Sequence, residues 1–329
     1  KFSIGFGPEL FHIQGRETRY AISLFPFGGF VKPSGESVSE IAGGAPRPYD
    51  FLAASVGKRI FIVTAGVAMN YLLSFLLFCT IFGVGRPVPL AQIGGFVEGY
   101  PAASSELAKG DRIVAIESIP IRSWEDLTDE LNRVSTPEVN LKIERQDRIK
   151  TVSLPLRVET VKDIFGQTHQ IRRLGIKPDP EALETEKLPL GAALREAFWT
   201  EVHLTAMTYK GLYYLVSGRL SLKSISGPLG IMTMTGVAAK MGVIYLLHLT
   251  AVLGISLAVI NLLPIPALDG GHLVFLAIEA IQGRRVSLQF QEKVTQIGFA
   301  LLMLLMVLVL YNDLVNLQVF DRFKLVLGR

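Results

Sequence analysis

The chain has 329 residues; 50% are hydrophobic, only 19% are charged, and the formal net charge is +4. Soluble domains carry roughly 25% charged residues, so this composition excludes a disordered chain and argues against an ordinary soluble enzyme. The single cysteine, Cys79, excludes an internal disulfide. The basic residues form no dense run, so no nucleic-acid partner is predicted.

The missing charges are concentrated in a few segments. The N-terminal segment, residues 1–56, holds a short apolar run within Glu17–Val31. Further on, three stretches contain no Lys, Arg, Asp or Glu: 26 residues between Arg59 and Arg86, 28 between Lys240 and Asp269, and 19 between Lys293 and Asp313. About 20 apolar residues cross a bilayer, so we predict transmembrane helices over 57–86, 241–268 and 293–312. Buried helices of a soluble core are the alternative, which three runs apolar on all sides disfavour.

The second of these stretches is too long for one straight helix and contains two prolines near its end. Pro264 and Pro266 cannot donate backbone hydrogen bonds, so the helix should end near Leu262 and continue as an extended segment to Asp269. Irregular backbone at membrane depth survives only where it is buried in protein or lines a wet cavity. Residues 261–272 are therefore a candidate site.

Basic flanks predict the orientation. Lys58 and Arg59 precede the first span, and Arg284 and Arg285 lie between the second and third. The positive-inside rule then places residues 1–56 and 269–292 in the cytoplasm. The long segment between the first two spans and the tail at 313–329 are expected outside.

Residues 87–180 have the pattern of a small soluble module. Strands are predicted at Gln92–Val97, Arg112–Ile116 and after Val139, and Ser123 with Asp126 predicts a capping box that starts a helix. This order, with the run from Gly99 to Ile121, resembles a PDZ domain of the bacterial protease type. The resemblance implies a single PDZ domain that binds a peptide or a protein C-terminus as an added strand. Its groove is expected beside Gly94, Gly95, Phe96 and Val97. A generic mixed module is the alternative.

Residues 181–240 are apolar and aromatic with isolated charges, for example Phe198, Trp199 and Tyr213. Tyr and Trp favour the membrane interface, so helices lying along the outer surface are predicted. One ordinary helix packed on the module is the alternative.

The chemistry is concentrated in the run from Asn261 to His272. A carboxylate at the end of a membrane segment is costly and usually marks ion, proton or metal chemistry, and two glycines after Asp269 allow close backbone approach. The run resembles the N-x-x-P-x-P-x-L-D-G-G-H signature of the site-2 protease family of intramembrane zinc metalloproteases. The resemblance implies that Asp269 is a ligand of Zn2+.

Other segments match the same family. Gly66 to Asn70 matches its G-x-x-x-N motif, and the segments 2–8 and 25–32 match those that follow its first catalytic helix. By resemblance, residues 17–33 form a membrane re-entrant β-hairpin whose edge holds the substrate extended. Asn70 and Asn261 are expected as donors to a substrate carbonyl or backbone near the zinc; the alternative is that they bond helices together in lipid. The other substrate contacts implied are Ser23, Leu24, Phe25, Gly28, Gly29, Gly66, Pro264 and Pro266.

One part of the family pattern is absent from the printed sequence. The other two ligands and the base come from an H-E-x-x-H helix, and none of the five histidines here lies four residues from another. The sequence starts with residues that the family places after that helix. We therefore expect a truncated chain that is inactive alone; a natural relative without the catalytic helix is the alternative. The closest branch implied, the bacterial regulator of sigma-E proteases, carries two tandem PDZ domains in its enterobacterial members, and this chain departs from them.

The predicted fold class is thus a polytopic α-helical membrane protein with a re-entrant β-hairpin and an inserted extracytoplasmic PDZ domain, of mixed α+β content. The resemblance implies a multi-pass protein of the bacterial inner membrane that cleaves single-span substrates, either anti-sigma factors or remnant signal peptides. A non-catalytic PDZ-containing membrane adaptor is the alternative. A transporter would require a second Pro-broken helix in an internal repeat, and none is found in the sequence.

Overall fold

The computed structural model describes residues 1–16, 18–35, 47–48, 50–163, 167–221 and 225–316. The chain divides into two compact units, one formed by Lys1–Tyr71 with Ser256–Leu308 and the other by Leu72–Ile255 with Val309–Arg329. The three long apolar helices described below overlap the charge-free stretches of the sequence.

A β-hairpin begins the first unit. Strand β1 (Phe2–Gln14) pairs antiparallel with β2 (Arg19–Val31), and several bulges interrupt their register. The sequence predicted a hairpin only over 17–33, which is wrong at the N-terminal side, because the whole first strand precedes Glu17. The apolar run identified the second strand, whereas the first, with three residues of Gly or Pro between Gly5 and Pro8, was not predicted as a strand.

The long helix α1 (Val56–Val84) follows a short 3-10 turn at Phe51–Ala53. It ends at Gly85, whose φ of +118° lies in the region that favours glycine. This is the first predicted span, displaced from 57–86 by one residue at its start and two at its end.

The soluble module lies within the second unit, and its described residues form ten strands, one α-helix and a 3-10 turn at Pro101–Ser104. These are β3 (Arg86–Pro89), β4 (Ile93–Phe96), β5 (Arg112–Ile116), β6 (Ile119–Pro120), α2 (Trp124–Arg133), β7 (Glu138–Arg145), β8 (Arg148–Pro155), β9 (Arg157–Lys162), β10 (Thr168–Arg173), β11 (Ile176–Pro178) and β12 (Leu183–Glu186). The central sheet has the order β6-β5-β7-β8, and two-stranded sheets join β4 to β11, β3 to β12 and β9 to β10. The module extends to Glu186 rather than 180, because β12 returns to pair with β3.

The core of the module is apolar and fully closed. Inward-facing side chains of β5 and β7 pack on one face of α2, and the following have no solvent exposure: Ile93, Ile113, Ile116, Val139, Leu141 and Ile143. On β7 the buried residues alternate with exposed ones, which is the period-2 pattern that predicted the strand. The predicted capping box is confirmed: the Ser123 hydroxyl accepts from the Asp126 N–H, and the Asp126 carboxylate accepts from the Ser123 N–H.

Five helices follow in the part of the chain that the structure describes: α3 (Leu190–Val216), α4 (Pro228–Met241), α5 (Val243–Asn261), α6 (Asp269–Gln282) and α7 (Leu288–Asn316). Among the described residues, α1, α5 and α7 are long and apolar enough to cross a membrane. These are the three spans predicted from the missing charges. Helix α5 ends at Asn261, one residue before the predicted end, ahead of the two prolines.

Candidate metal centre

The predicted ligand Asp269 is the first residue of α6 and follows a compact turn. After α5 ends, the Ile265 N–H donates to the Leu263 oxygen at 2.7 Å, and the Leu268 N–H donates to the Ile265 oxygen at 3.0 Å. Ala267 has a φ of +87°, a strained value for a residue with a side chain. The predicted extended segment is therefore wrong: the two prolines lie in tight turns that fold back against α6.

Two glycines allow this turn to lie on the first turn of α6. Gly270 and Gly271 are buried, and a β-carbon on Gly270 would lie 2.5 Å from the Leu262 carbonyl oxygen. On Gly271 it would lie 2.5 Å from the Ile265 oxygen. No side chain fits at either position, so packing requires glycine at both.

The Asp269 carboxylate is half-buried beside α1. A β-carbon on Gly66 would lie 3.9 Å from its Oδ2, so the small residue of the G-x-x-x-N motif faces the carboxylate. Within the described part of the chain, no hydrogen bond or ion pair to this carboxylate is found. A half-buried carboxylate without a partner is the type of group that a cation stabilises.

The other predicted site residues fall on three elements. Asn70 lies on α1 four residues after Gly66, hence on the same helix face. Asn261 is the last residue of α5, and Pro264 and Pro266 lie in the turn that follows. The predicted substrate contacts Ser23, Leu24, Phe25, Gly28 and Gly29 all lie on β2.

Strand β2 turns its predicted contacts to opposite sides. Ser23 is buried, and its hydroxyl lies 2.9 Å from that of Ser3 on β1, so its side chain stabilises the hairpin. Leu24 and Phe25 are about half exposed, at 47% and 53%. Of these three, only Leu24 and Phe25 can present side chains to a ligand.

A buried ion pair between α1 and α6 was not predicted from the sequence. The Arg59 guanidinium on α1 donates two hydrogen bonds to the Glu279 carboxylate on α6, at 3.0 and 2.5 Å, and both residues are buried. The Arg59 bonds lower the pKa of Glu279 despite its burial, and Arg285 adds to this. The available signal was Glu279 itself, a carboxylate at the end of the apolar helix 269–282, which requires a cation.

The residues predicted for the peptide groove of the module lie on β4 and directly after it. Strand β4 pairs with β11 along one side, and on the other side Ile93 accepts from the Gly110 N–H and donates to the Asp111 oxygen. Among the described residues the second side is paired only around Ile93, so the groove at Gly94, Gly95 and Phe96 stays a prediction. Only Val97 of that group lines the cleft described next.

A cleft of about 420 Å³ lies between α2 and β11. Its apolar lining includes Trp124 and Leu131, and its charged lining is wholly basic: Arg172, Arg173 and Lys177. The Gly175 oxygen accepts from Val97, and the Asp179 N–H donates to Gln92, so alternate residues of β11 bond to β4. Ile176 therefore directs its backbone groups away from β4, toward the cleft.

The sequence matches the model of peptidase family M50 over residues 1–305. The chain belongs to this family, the site-2 proteases. M50 relatives include a putative zinc metalloprotease of Agrobacterium fabrum, 34% identical over 96% of this chain and 87% of that protein. The regulator of sigma-W protease RasP of Bacillus subtilis is 31% identical over 96% and 91%, respectively, and the zinc metalloprotease RasP of Geobacillus kaustophilus is 30% identical over 95% and 90%.

The family resemblance inferred from the motifs is thus confirmed, as is zinc, which the names of the Agrobacterium and Geobacillus relatives include. Among solved structures, the PDZ domain of an SdrC-like protein from Listeria innocua matches 27% of this chain and 92% of that domain, at 22% identity and a TM-score of 0.22. A similarity at that level decides nothing further about the module.

The described residues fit zinc only in part. Asp269 supplies an oxygen donor of a type found in zinc sites, half-buried and without a partner of its own. No group of three His, Cys, Asp or Glu side chains able to hold a metal is present in the described ranges. As a metal ligand, Asp269 would be one of a set and not a complete site.

Proposed function

We propose that this M50 protein is an intramembrane zinc endopeptidase that cleaves membrane segments of single-span proteins. The observation that carries the proposal is the half-buried carboxylate of Asp269, the first residue of α6. It has no partner among the described residues and faces Gly66 of α1. Two further ligands and a general base, which an H-E-x-x-H helix supplies in metalloproteases, would complete such a site. Bound zinc would polarise the peptide carbonyl and lower the pKa of a water molecule.

The chain's own residues then have three tasks. Asp269 holds the metal at the α1–α6 contact. Asn70, on the face of α1 that carries Gly66, and Asn261, at the end of α5, donate amide N–H groups to the substrate carbonyl as negative charge develops on its oxygen. The hairpin edge at β2 re-enters the membrane and keeps the substrate extended through main-chain hydrogen bonds, with Leu24 and Phe25 as apolar contacts.

The proposed setting is the bacterial inner membrane, crossed several times. Residues 1–56 and 269–292 are cytoplasmic, and the PDZ-like module is extracytoplasmic, with α3 and α4 at the outer surface. Arg284 and Arg285 beside α6 support this orientation, since basic residues favour the cytoplasmic side. Single-span anti-sigma factors or remnant signal peptides are the proposed substrates.

The module binds a peptide or protein C-terminus in the cleft between α2 and β11. Its three cations and the absence of any acidic residue among the described lining suit a free carboxylate. Outward-facing backbone groups at Ile176 offer strand pairing. A peptide with a free C-terminus should bind the full-length protein more tightly than its amidated form, and Lys177→Glu should abolish the difference.

The central test replaces Asp269 in the full-length product of the gene. Asp269→Asn and Asp269→Ala should lose most of the bound zinc, measured by mass spectrometry of the metal, and cleavage of a reporter helix. His272→Gln is the matched control: it changes a titratable side chain one turn along α6 and should retain zinc. Normal zinc content and cleavage in Asp269→Asn would overturn the proposal and favour the PDZ-containing adaptor.

A further inference from the structure

The buried ion pair between Arg59 and Glu279 joins the two helices that meet at Asp269. The guanidinium donates through both terminal nitrogens, and the two side chains are only 4% and 10% exposed. Glu279 also accepts from Arg285 at 3.3 Å, and Arg285 donates to the Leu52 oxygen in the turn before α1. Glu279 is therefore held from the start of α1 and from the chain just after α6.

One face of α6 carries both Glu279 and Asp269. Asp269, His272, Leu276 and Glu279 recur at intervals of three and four residues, which places them on a single helix face. Leu276 and Glu279 are buried, and Asp269 lies beside Gly66. Because Arg59 meets Glu279 while Gly66 meets Asp269, the two helices run antiparallel, with the ion pair at one end of the contact and the carboxylate at the other.

Apolar packing alone would fix the axial register of α6 on α1 only weakly. Gly66 offers no side chain to interlock with α6, and a displacement of one residue along α6 moves Asp269 by about 1.5 Å. A bidentate guanidinium–carboxylate pair is directional and breaks on such a displacement. Buried charges of this kind often add little stability compared with apolar residues, yet they can specify a register.

We propose that the Arg59–Glu279 pair is a positioning element, which holds α6 on α1 in the register that sets Asp269 beside Gly66. The proposal rests on Asp269 being the metal ligand. It assigns neither residue a contact with substrate or metal. Its consequence is that the pair controls metal affinity from about ten residues along α6.

The test replaces both charged residues by apolar ones in the full-length protein. It distinguishes an effect on the helix register from an effect on stability. Arg59→Met with Glu279→Leu keeps the volume buried and removes both charges, so the melting temperature in detergent should stay the same or rise. Zinc affinity, measured by competition with a chelator, should fall about 10- to 100-fold, the range typical for groups that orient a ligand. Arg59→Lys, which retains the charge, should recover part of the affinity.

The control is the exposed pair Lys150–Glu106 of the module. Lys150→Met with Glu106→Leu should change neither zinc affinity nor cleavage. Unchanged zinc affinity in the Arg59→Met, Glu279→Leu protein overturns the inference, provided that Asp269→Ala loses zinc. If Asp269→Ala keeps its zinc, the proposed function fails instead, so the two failures are distinguishable.

Discussion

Gly298 on α7 packs against Pro266 so closely that no side chain fits between them. A β-carbon built on Gly298 would lie 2.6 Å from the Pro266 carbonyl carbon. The turn before Asp269 is therefore held from two sides, by the glycines of α6 and by the backbone of α7. We expect Gly298→Ala to displace this turn and to destabilise the protein by about 1–3 kcal/mol, as overpacking does, and to reduce zinc retention.

The matched control is Gly57 near the start of α1. A β-carbon there has nothing within 4 Å. Gly57→Ala should therefore be neutral or stabilising by up to about 1 kcal/mol, the usual gain for a helical glycine. Thermal melts and zinc content of both variants check the prediction, and equal behaviour of the two would contradict the packing argument.

Asp313 on α7 caps the N-terminus of α4. Its carboxylate accepts from the Gly227, Leu229 and Gly230 N–H groups at 2.9, 3.0 and 3.0 Å, and the residue is 3% exposed. Asp313→Ala leaves these donors without their acceptor, and a lost cap costs about 0.5–2 kcal/mol. We expect faster amide hydrogen exchange at the first turn of α4, and a smaller effect of Asp313→Asn, which keeps one oxygen acceptor. Unchanged exchange in Asp313→Ala would count against the cap.

The elements set by local sequence were predictable. The spans follow from the length of the uncharged stretches, since hydropathy alone identifies them. The Ser123 capping box needs residues only three apart. Asp269 was located because an intramembrane carboxylate next to prolines and glycines is rarely structural.

Contacts between distant segments were not predictable. Arg59 and Glu279 are 220 residues apart, and Asp313 lies more than 80 residues from the N–H groups it caps. The cleft between α2 and β11 was not predicted, because the pattern around Gly94 shows a strand but not which of its sides is already paired. Strand β11, only three residues long, shows no alternation from which an edge could be inferred.

The module should lose stability in acid through Asp111. This side chain is 1% exposed and accepts two hydrogen bonds from Arg145 at 2.6 Å and one from the Ala108 N–H at 2.8 Å. Burial alone would raise the pKa of Asp111, but the bonds from Arg145 and Ala108 outweigh it and lower the pKa. The stabilisation is then complete above the unfolded value of about 3.9 and is lost as the pH falls through the lower, folded pKa.

Asp111→Asn tests this dependence. It should cost about 1.5–3 kcal/mol near neutral pH, the usual contribution of hydrogen bonds to a charged group. The difference from the unmodified protein should shrink below about pH 3.9. Amide hydrogen exchange of β7 and β8 in the full chain measures both, and a difference that stays constant down to pH 2 would contradict the assignment.

The capping box of α2 links local sequence to the peptide cleft. Ser123→Ala removes the acceptor for the Asp126 N–H, which should cost about 1 kcal/mol and speed amide exchange in the first turn of α2. Because Trp124 and Leu127 in that turn line the cleft, peptide affinity should fall as the turn frays. Asp129→Ala, an exposed change on the same helix, should stay within about 0.5 kcal/mol. If Ser123→Ala frays the helix but leaves peptide affinity intact, the ligand binds outside the α2–β11 cleft.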